Sequence, residues 1–236
     1  MKKLLSRILF VLALMGMIIS CNGRKNQKSE LDLMADSLLA SMNIDPSRID
    51  DQVQPQAVEE EAAKRLPEEP IFDIVTNLGT IRVKLYSNTP KHKANFAKLA
   101  MSGFYDSLLF HRVVNGFMIQ GGDPYTKDTT KIAEYGQGGP GYLIPAEIRA
   151  ENTHKRGALA AARKGDIANP KRESNGSQFY IVQNQEVCAQ LDGQYTVFGE
   201  TILGFETIDK IASELTDYLD RPVDDIRILT VKLIED

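Results

Sequence analysis

The sequence predicts a mainly β fold, a closed or nearly closed antiparallel barrel capped at its ends by two α-helices. Three observations carry that prediction. From Ile71 onward, short strand-like runs recur between turn signals. Only two stretches of that region have helical periodicity long enough for a full helix. The region also opens on a hairpin signal rather than on a helix. Many short strands with few helices are the pattern of a barrel, because a sheet that closes on itself leaves no edge exposed.

The elements follow in order. "IFDIVTNLGTIRVKLY" reads as two strands around Asn77-Leu78-Gly79-Thr80, with glycine at a turn position. Thr89-Pro90 opens a helix as N-cap and first helical residue. Phe96, Leu99 and Ala100 give that helix its buried stripe, and Gly103 stops it. Short strands are expected at 110–114, 116–120, 158–162, 178–182 and 196–198. A second helix runs from about Glu206 to Leu215 with Ile208, Ile211 and Leu215 on one face, and a last strand lies within 226–234.

The N-terminus has a different character. Lys2, Lys3 and Arg7 precede the apolar run Ile8 to Ile19, which matches a signal-peptide core and is short for a membrane-spanning helix. The run ends in Ile18-Ile19-Ser20-Cys21, a tetrad that resembles a bacterial lipobox with Cys21 as the lipidated residue. Residues 1–20 are therefore expected to be a lipoprotein signal peptide. Residues 21–69 are expected to be a lipid-anchored spacer, with short helical patches at 30–42 and 56–65 and prolines Pro67 and Pro70 at its end. Residues 70–236 form the folded domain. With Cys21 lipidated, Cys188 has no disulfide partner and reads as a small packed residue.

Composition narrows the chemistry. A net charge of −4 gives no electrostatic reason to expect a nucleic-acid partner. Three histidines and two cysteines, widely scattered, do not form a metal-ligand pattern. "GQGGPG", residues 136–141, has the letters of a dinucleotide-binding turn, but Pro140 and "YLIPAE" follow where that motif needs a helix. It reads as a glycine loop at the rim of a groove. His111 lies inside a strand pattern and is expected to be a hydrogen-bonded structural residue.

The stretch "FHRVVNGFMIQGGD" sets an arginine and a glutamine among aromatic, methionine and glycine residues. It resembles the signature of cyclophilin-type peptidyl-prolyl cis-trans isomerases. The resemblance continues through "GQGGPGY" (136–142), "GALAAAR" (157–163), "NGSQFYIV" (175–182) and "LDGQYTVFGE" (191–200), in the family's order. It implies an eight-stranded antiparallel barrel closed by two helices, and the activity of rotating X-Pro peptide bonds. It also implies a catalytic Arg112 and a pocket of Phe117, Met118, Phe179, Tyr180, Leu191 and Tyr195. Gln120 and Gln178 match glutamines that hold the residue before proline. Ala162 and Arg163 match the edge whose backbone pairs with the peptide, and Gly136 lines a neighbouring subsite.

The residue types suit that chemistry. Amide resonance sets a rotational barrier of ~18–20 kcal/mol, and in the twisted transition state the lone pair returns to the prolyl nitrogen. A catalyst needs a donor aimed at that nitrogen and a pocket for the ring, with no cofactor, metal, nucleophile or base. Arginine stays charged and offers a rigid fork of N–H groups.

Departures from the family's best-known pattern are Gln190 for a tryptophan at the rim, Tyr195 for a histidine, Tyr180 for a phenylalanine and Asn115 for a proline. Loss of the tryptophan predicts weak cyclosporin sensitivity. The connection "RKGDIANPKRESNGS" is also longer than the compact family pattern. The expected partners are proline-containing unfolded or exported polypeptides, with the membrane reached through Cys21 on the periplasmic side of the cell envelope. Oligomeric state is open, a monomer being favoured. The alternatives are a proline-peptide binding module or chaperone with little turnover, and an assembly factor docked through residues 22–69.

Overall fold

The computed structural model describes residues 66–234. Cys21, the signal segment and the two spacer helices lie outside the described residues. From Leu66 the chain builds β1 (Ile71–Thr76), β2 (Gly79–Leu85), α1 (Pro90–Met101), β3 (Phe110–Val114) and β4 (Met118–Gly121). It continues through β5 (Leu143–Ile144), β6 (Ala158–Ala161), β7 (Ser174–Asn175), β8 (Phe179–Val182) and α2 (Gln185–Cys188). It ends in β9 (Val197–Leu203), α3 (Phe205–Ala212) and β10 (Ile228–Leu233).

Eight strands form one curled sheet in the order β10-β1-β2-β9-β6-β8-β4-β3, and β5 pairs with β7 in a separate two-residue ribbon. All the pairings are antiparallel. The closed barrel expected from the sequence does not form, because the ladder is open between β10 and β3. Those edges meet only through a few bonds before their ladders diverge, such as Ile228 N–H to Leu108 O at 2.8 Å and Phe110 N–H to Ile226 O at 2.9 Å. Beyond that point the chain leaves the strand path. Asp220 takes a left-handed φ of 62°, and Pro222 has no N–H to donate. The edge of β3 is covered by this loop instead, through Val113 N–H to Asp220 O at 2.7 Å.

Alternation builds the core where one face meets water. In β2, Ile81, Val83 and Leu85 point inward while Arg82 and Lys84 point out. Arg82 forks onto Asp73, its cross-strand neighbour on β1, at 2.7 and 2.9 Å. Strands β6 and β8 are instead buried at every residue. Their inner side chains, Leu159, Ala161, Phe179 and Ile181, join the main core with Phe72, Phe96 and Ile208. Their outer ones, Ala158, Ala160, Tyr180 and Val182, join a second cluster with Met118, Cys188 and Val197.

Helix α1 ends as expected. Gly103 is left-handed at φ 71°, and the bonds Gly103 N–H to Ala100 O and Phe104 N–H to Leu99 O close a Schellman motif. Its start differs from expectation, since Thr89 makes no side-chain cap. The Glu147 carboxylate accepts from Lys91 N–H at 3.1 Å and His92 N–H at 2.9 Å, and also bonds His92 Nδ1 at 2.7 Å. The cap thus comes from a distant loop. Helix α3 stops at Ala212, short of the expected Leu215, which is exposed.

Candidate active site

A bulge in β3 aims the arginine. Phe110 pairs with Gly121 and Arg112 with Gln120, so two residues advance on β3 for one on β4 and His111 is extra. Two residues apart on a regular strand, Phe110 and Arg112 would share a face. The bulge puts Phe110 in the core and Arg112 on the outer face, where it is about two-fifths exposed. A cross-strand row then runs Arg112, Gln120, Tyr180, Ala160 over β3, β4, β8 and β6. There is room above Arg112, Gln120 and Tyr180 of this row.

That room is a cavity of about 150 Å³. Met118 and Tyr180, both nearly buried, line it together with Phe117, Leu191 and Tyr195. Arg112, Gln120, Ala162 and Arg163 also line it. A cavity of ~150 Å³ with apolar walls accepts a ring of benzene size, which is the scale of a prolyl ring. Arg112 Nε lies 3.4 Å from Asp220 Oδ2, both side chains being over two-fifths exposed. Its terminal N–H groups have no partner among the described residues. Such a weak, solvated pair leaves the guanidinium available to a ligand.

The family model for cyclophilin type peptidyl-prolyl cis-trans isomerase/CLD matches residues 71–233. The chain belongs to the cyclophilin-type peptidyl-prolyl cis-trans isomerase family. A peptidyl-prolyl cis-trans isomerase of Arabidopsis thaliana is 34% identical over 167 residues, 70% of this chain and 94% of the relative. One from Synechococcus elongatus is 45% identical over 127 residues, covering 53% of this chain and 76% of the relative. Among solved structures, a Cryptosporidium parvum cyclophilin superposes with a TM-score of 0.63 at 35% identity, covering 71% of this chain and 99% of that one. The same protein, solved in the presence of the dipeptide Ala-Pro, gives 0.62 at 34% identity, covering 70% of this chain and 99% of that one.

In this cyclophilin fold the expected site residues divide into three groups. Nine of them, named above, border the cavity. Phe179 does not: it is 1% exposed inside the main core, edge-on to Phe110 and Tyr105. Its neighbour Tyr180 is the ring that reaches the pocket, because adjacent strand residues face opposite sides. Gly136 and Gln178 line a second, larger cavity instead of the first.

Gln178 nevertheless sets the chemistry of the pocket rim. Its Nε2 donates to Gly136 O at 3.0 Å and Gly138 O at 2.8 Å, which turns its Oε1 toward Gln120 Nε2 at 3.0 Å. Gln120 is therefore held by its amide nitrogen and presents its carbonyl away from Gln178. The glycine loop is itself clamped, Asp123 accepting from the Gly136 and Gly138 N–H groups. Asn175 ties the same parts together, donating to Gly138 O and accepting from Gln178 N–H. Asp123, Asn175 and Asp220 are site-building residues that sequence reasoning missed. The turn signals "GGDP" and "NGSQ" contain the first two, while nothing in sequence ties Asp220 to Arg112.

The two residues expected at the groove edge differ in their main-chain groups. Ala162 already spends its N–H on Gln178 O and its carbonyl on Asn175 N–H. The main-chain groups of Arg163 have no partner among the described residues. Its side chain is 3% exposed, donates to Gln194 O and Asp166, and stacks 4.3 Å over the Tyr195 ring. That arginine positions a pocket wall and is not itself a free donor.

Behind the pocket, His154 holds three walls at once. Asp192, next to Leu191, accepts from His154 N–H and Nδ1, both at 2.7 Å. This leaves Nε2 as the acceptor for the Tyr180 hydroxyl at 2.8 Å, while the Tyr195 ring meets the His154 ring edge-on. Burial holds His154 below its usual pKa, opposed by Asp192. Burial likewise pushes the Cys188 thiol up to about 11, and its Sγ sits 3.4 Å from Phe117 O beneath the pocket. His111 is buried, and burial pushes its pKa down to about 4 against the opposing effects of the Asp123 charge and the Leu109 backbone. Gln190 does not line the cavity; its amide turns back to Val187 O at 3.0 Å. Among the described residues no group of three or more His, Cys, Asp or Glu side chains could hold a metal ion.

Proposed function

We propose that the apolar cavity takes the prolyl ring and that Arg112 donates to the prolyl nitrogen as the X-Pro bond twists. The observation that carries this is the cross-strand row, which sets Arg112 and Gln120 side by side at the mouth of a ring-sized cavity floored by Met118. The Ala-Pro dipeptide in the related solved structure supports a proline ligand for this groove. A charged hydrogen bond is worth ~1.5–3 kcal/mol, so Arg112 accounts for about one to two decades of rate at ~1.4 kcal/mol per decade. The remainder comes from gripping one side of the bond while the other rotates, so that the twisted form binds best. Gln120, fixed by Gln178 through its amide nitrogen, presents its Oε1 to an N–H of the residue before proline. Phe117→Ala, which removes wall but no charge, is expected to raise KM with kcat little changed in a proline-peptide isomerisation assay. An unchanged KM would place the ring elsewhere. The rim lacks an aromatic at Gln190, so cyclosporin is expected to inhibit weakly.

The protein acts, in this proposal, on exported polypeptides from a lipid anchor on Cys21 at the periplasmic side of the envelope. Support is the basic start, the apolar run from Ile8 and the tetrad ending at Cys21. Membrane fractionation of cells making the full chain and Cys21→Ser tests it. The parent is expected in the membrane fraction and the variant in the soluble fraction. Identical fractionation of both would contradict the anchor.

A further inference from the structure

Tyr180 brings a polar atom to an otherwise apolar wall. Its ring lines the cavity, with Gln120 of β4 and Ala160 of β6 as its cross-strand neighbours. The residue is only 5% exposed. A buried hydroxyl without an acceptor is unfavourable, and it holds a water molecule wherever one can reach it.

The acceptor here is His154, whose side chain is fully buried and does not line the cavity. Asp192 decides which ring nitrogen accepts. A carboxylate has no proton to give, so Nδ1 donates to Asp192 and Nε2 keeps its lone pair for the Tyr180 hydroxyl. Burial lowers the pKa of His154, so the ring is neutral near pH 7 and Nε2 stays free to accept. The same carboxylate oxygen takes the His154 backbone N–H at 2.7 Å, which fixes ring and main chain together. Among the described residues the Tyr180 hydroxyl has no other hydrogen-bond partner. The Tyr195 ring closes this corner, edge-on to Tyr180 at 6.0 Å and to His154 at 6.4 Å.

We propose that His154 is a positioning residue for the proline pocket: it takes up the Tyr180 hydroxyl behind the wall, so the cavity stays apolar and holds no water that a prolyl ring must displace. The inference rests on the proline pocket assigned above. Without that acceptor the hydroxyl turns to water, and the open space beside Tyr180 is the cavity it lines. A prolyl ring offers no hydrogen-bond group to replace such a water, and displacing it loses affinity. The planar and the twisted substrate both seat the ring, so the loss falls on binding and not on the chemical step.

The test compares the parent chain with His154→Phe, which keeps a ring but has no acceptor. Tyr180→Phe is measured with and without that substitution. Binding of a short X-Pro peptide is followed by calorimetry, and its isomerisation gives KM and kcat. His154→Phe is expected to raise Kd and KM about five- to tenfold with kcat within about twofold of the parent's. In the Tyr180→Phe background the same substitution is expected to change Kd by less than about twofold, because hydroxyl and acceptor are then both gone. An equal effect in the two backgrounds would make His154 simple packing and overturn the inference. Parent-like binding by His154→Phe would overturn it as well. Imidazole nitrogen NMR of the parent needs no variant to fold, and is expected to show a neutral His154 protonated at Nδ1 near neutral pH. A charged ring or a proton on Nε2 would also overturn the inference. These results leave the proline pocket standing as long as the parent binds the peptide, whereas a parent that binds none overturns the pocket and the inference together.

Discussion

Arg112 faces the groove because a single extra residue precedes it. His111 fills the bulge that turns Arg112 outward, and it does so in a buried place. Burial therefore keeps the ring neutral in the folded protein, with its pKa pushed from 6.5 down to about 4. The unfolded chain binds this proton first as pH falls. The associated stability is fully present above about pH 6.5, falls with pH below that, and is gone near pH 4, a loss on the order of 3 kcal/mol. Urea unfolding of the parent and of His111→Leu across that window should show the parent losing more stability on acidification. Parallel profiles, or a histidine NMR titration placing His111 near 6.5, would contradict this. At this scale the motif letters named the nine residues that border the cavity. They did not separate Phe179 from Tyr180, because adjacency in sequence does not tell which strand residue faces out.

Elements hold the site through bonds that sequence does not announce. The first turn of α1 is capped by Glu147, more than fifty residues away, and so Thr89-Pro90 gave the right start for an incomplete reason. Glu147→Ala leaves two amides and His92 Nδ1 without their acceptor. It should cost about 1–3 kcal/mol, read as a lowered Tm, with kcat/KM of the folded fraction near the parent's. A Tm equal to the parent's would show that the cap is dispensable. The glycine loop has the opposite profile. A Cβ on Gly138 would lie 2.0 Å from Asp123 Oδ1. Gly138→Ala must move the loop whose carbonyls orient Gln178 and through it Gln120. Displacements near 1 Å cost on the order of 100-fold in rate, so kcat/KM should fall about ten- to a hundred-fold while circular dichroism stays that of the parent. Full activity would disconnect the loop from the reaction. The ribbon of β5 and β7 was illegible because two-residue strands carry no periodicity.

The described residues form a curled sheet with two apolar clusters back to back, one inside the curl and one beneath the groove. Strands β6 and β8 are shared between them, which is why "ALAA" and "FYIV" show no alternation to read. Short strands and few helices predicted a closed antiparallel barrel, and the antiparallel sheet is there without the closure. They could not reveal that the ladder stays open between β10 and β3, which depends on how the chain around Asp220 and Pro222 leaves the strand path. The loop in that opening brings Asp220 beside Arg112. The central claim is that this groove turns over X-Pro bonds with Arg112 as donor, and isomerisation of a short X-Pro peptide by the parent and Arg112→Ala tests it most directly. The account predicts clear acceleration by the parent and a loss of about one to two decades in the variant, with Tm unchanged because the side chain is partly exposed and weakly paired. Equal rates for the two proteins would contradict it.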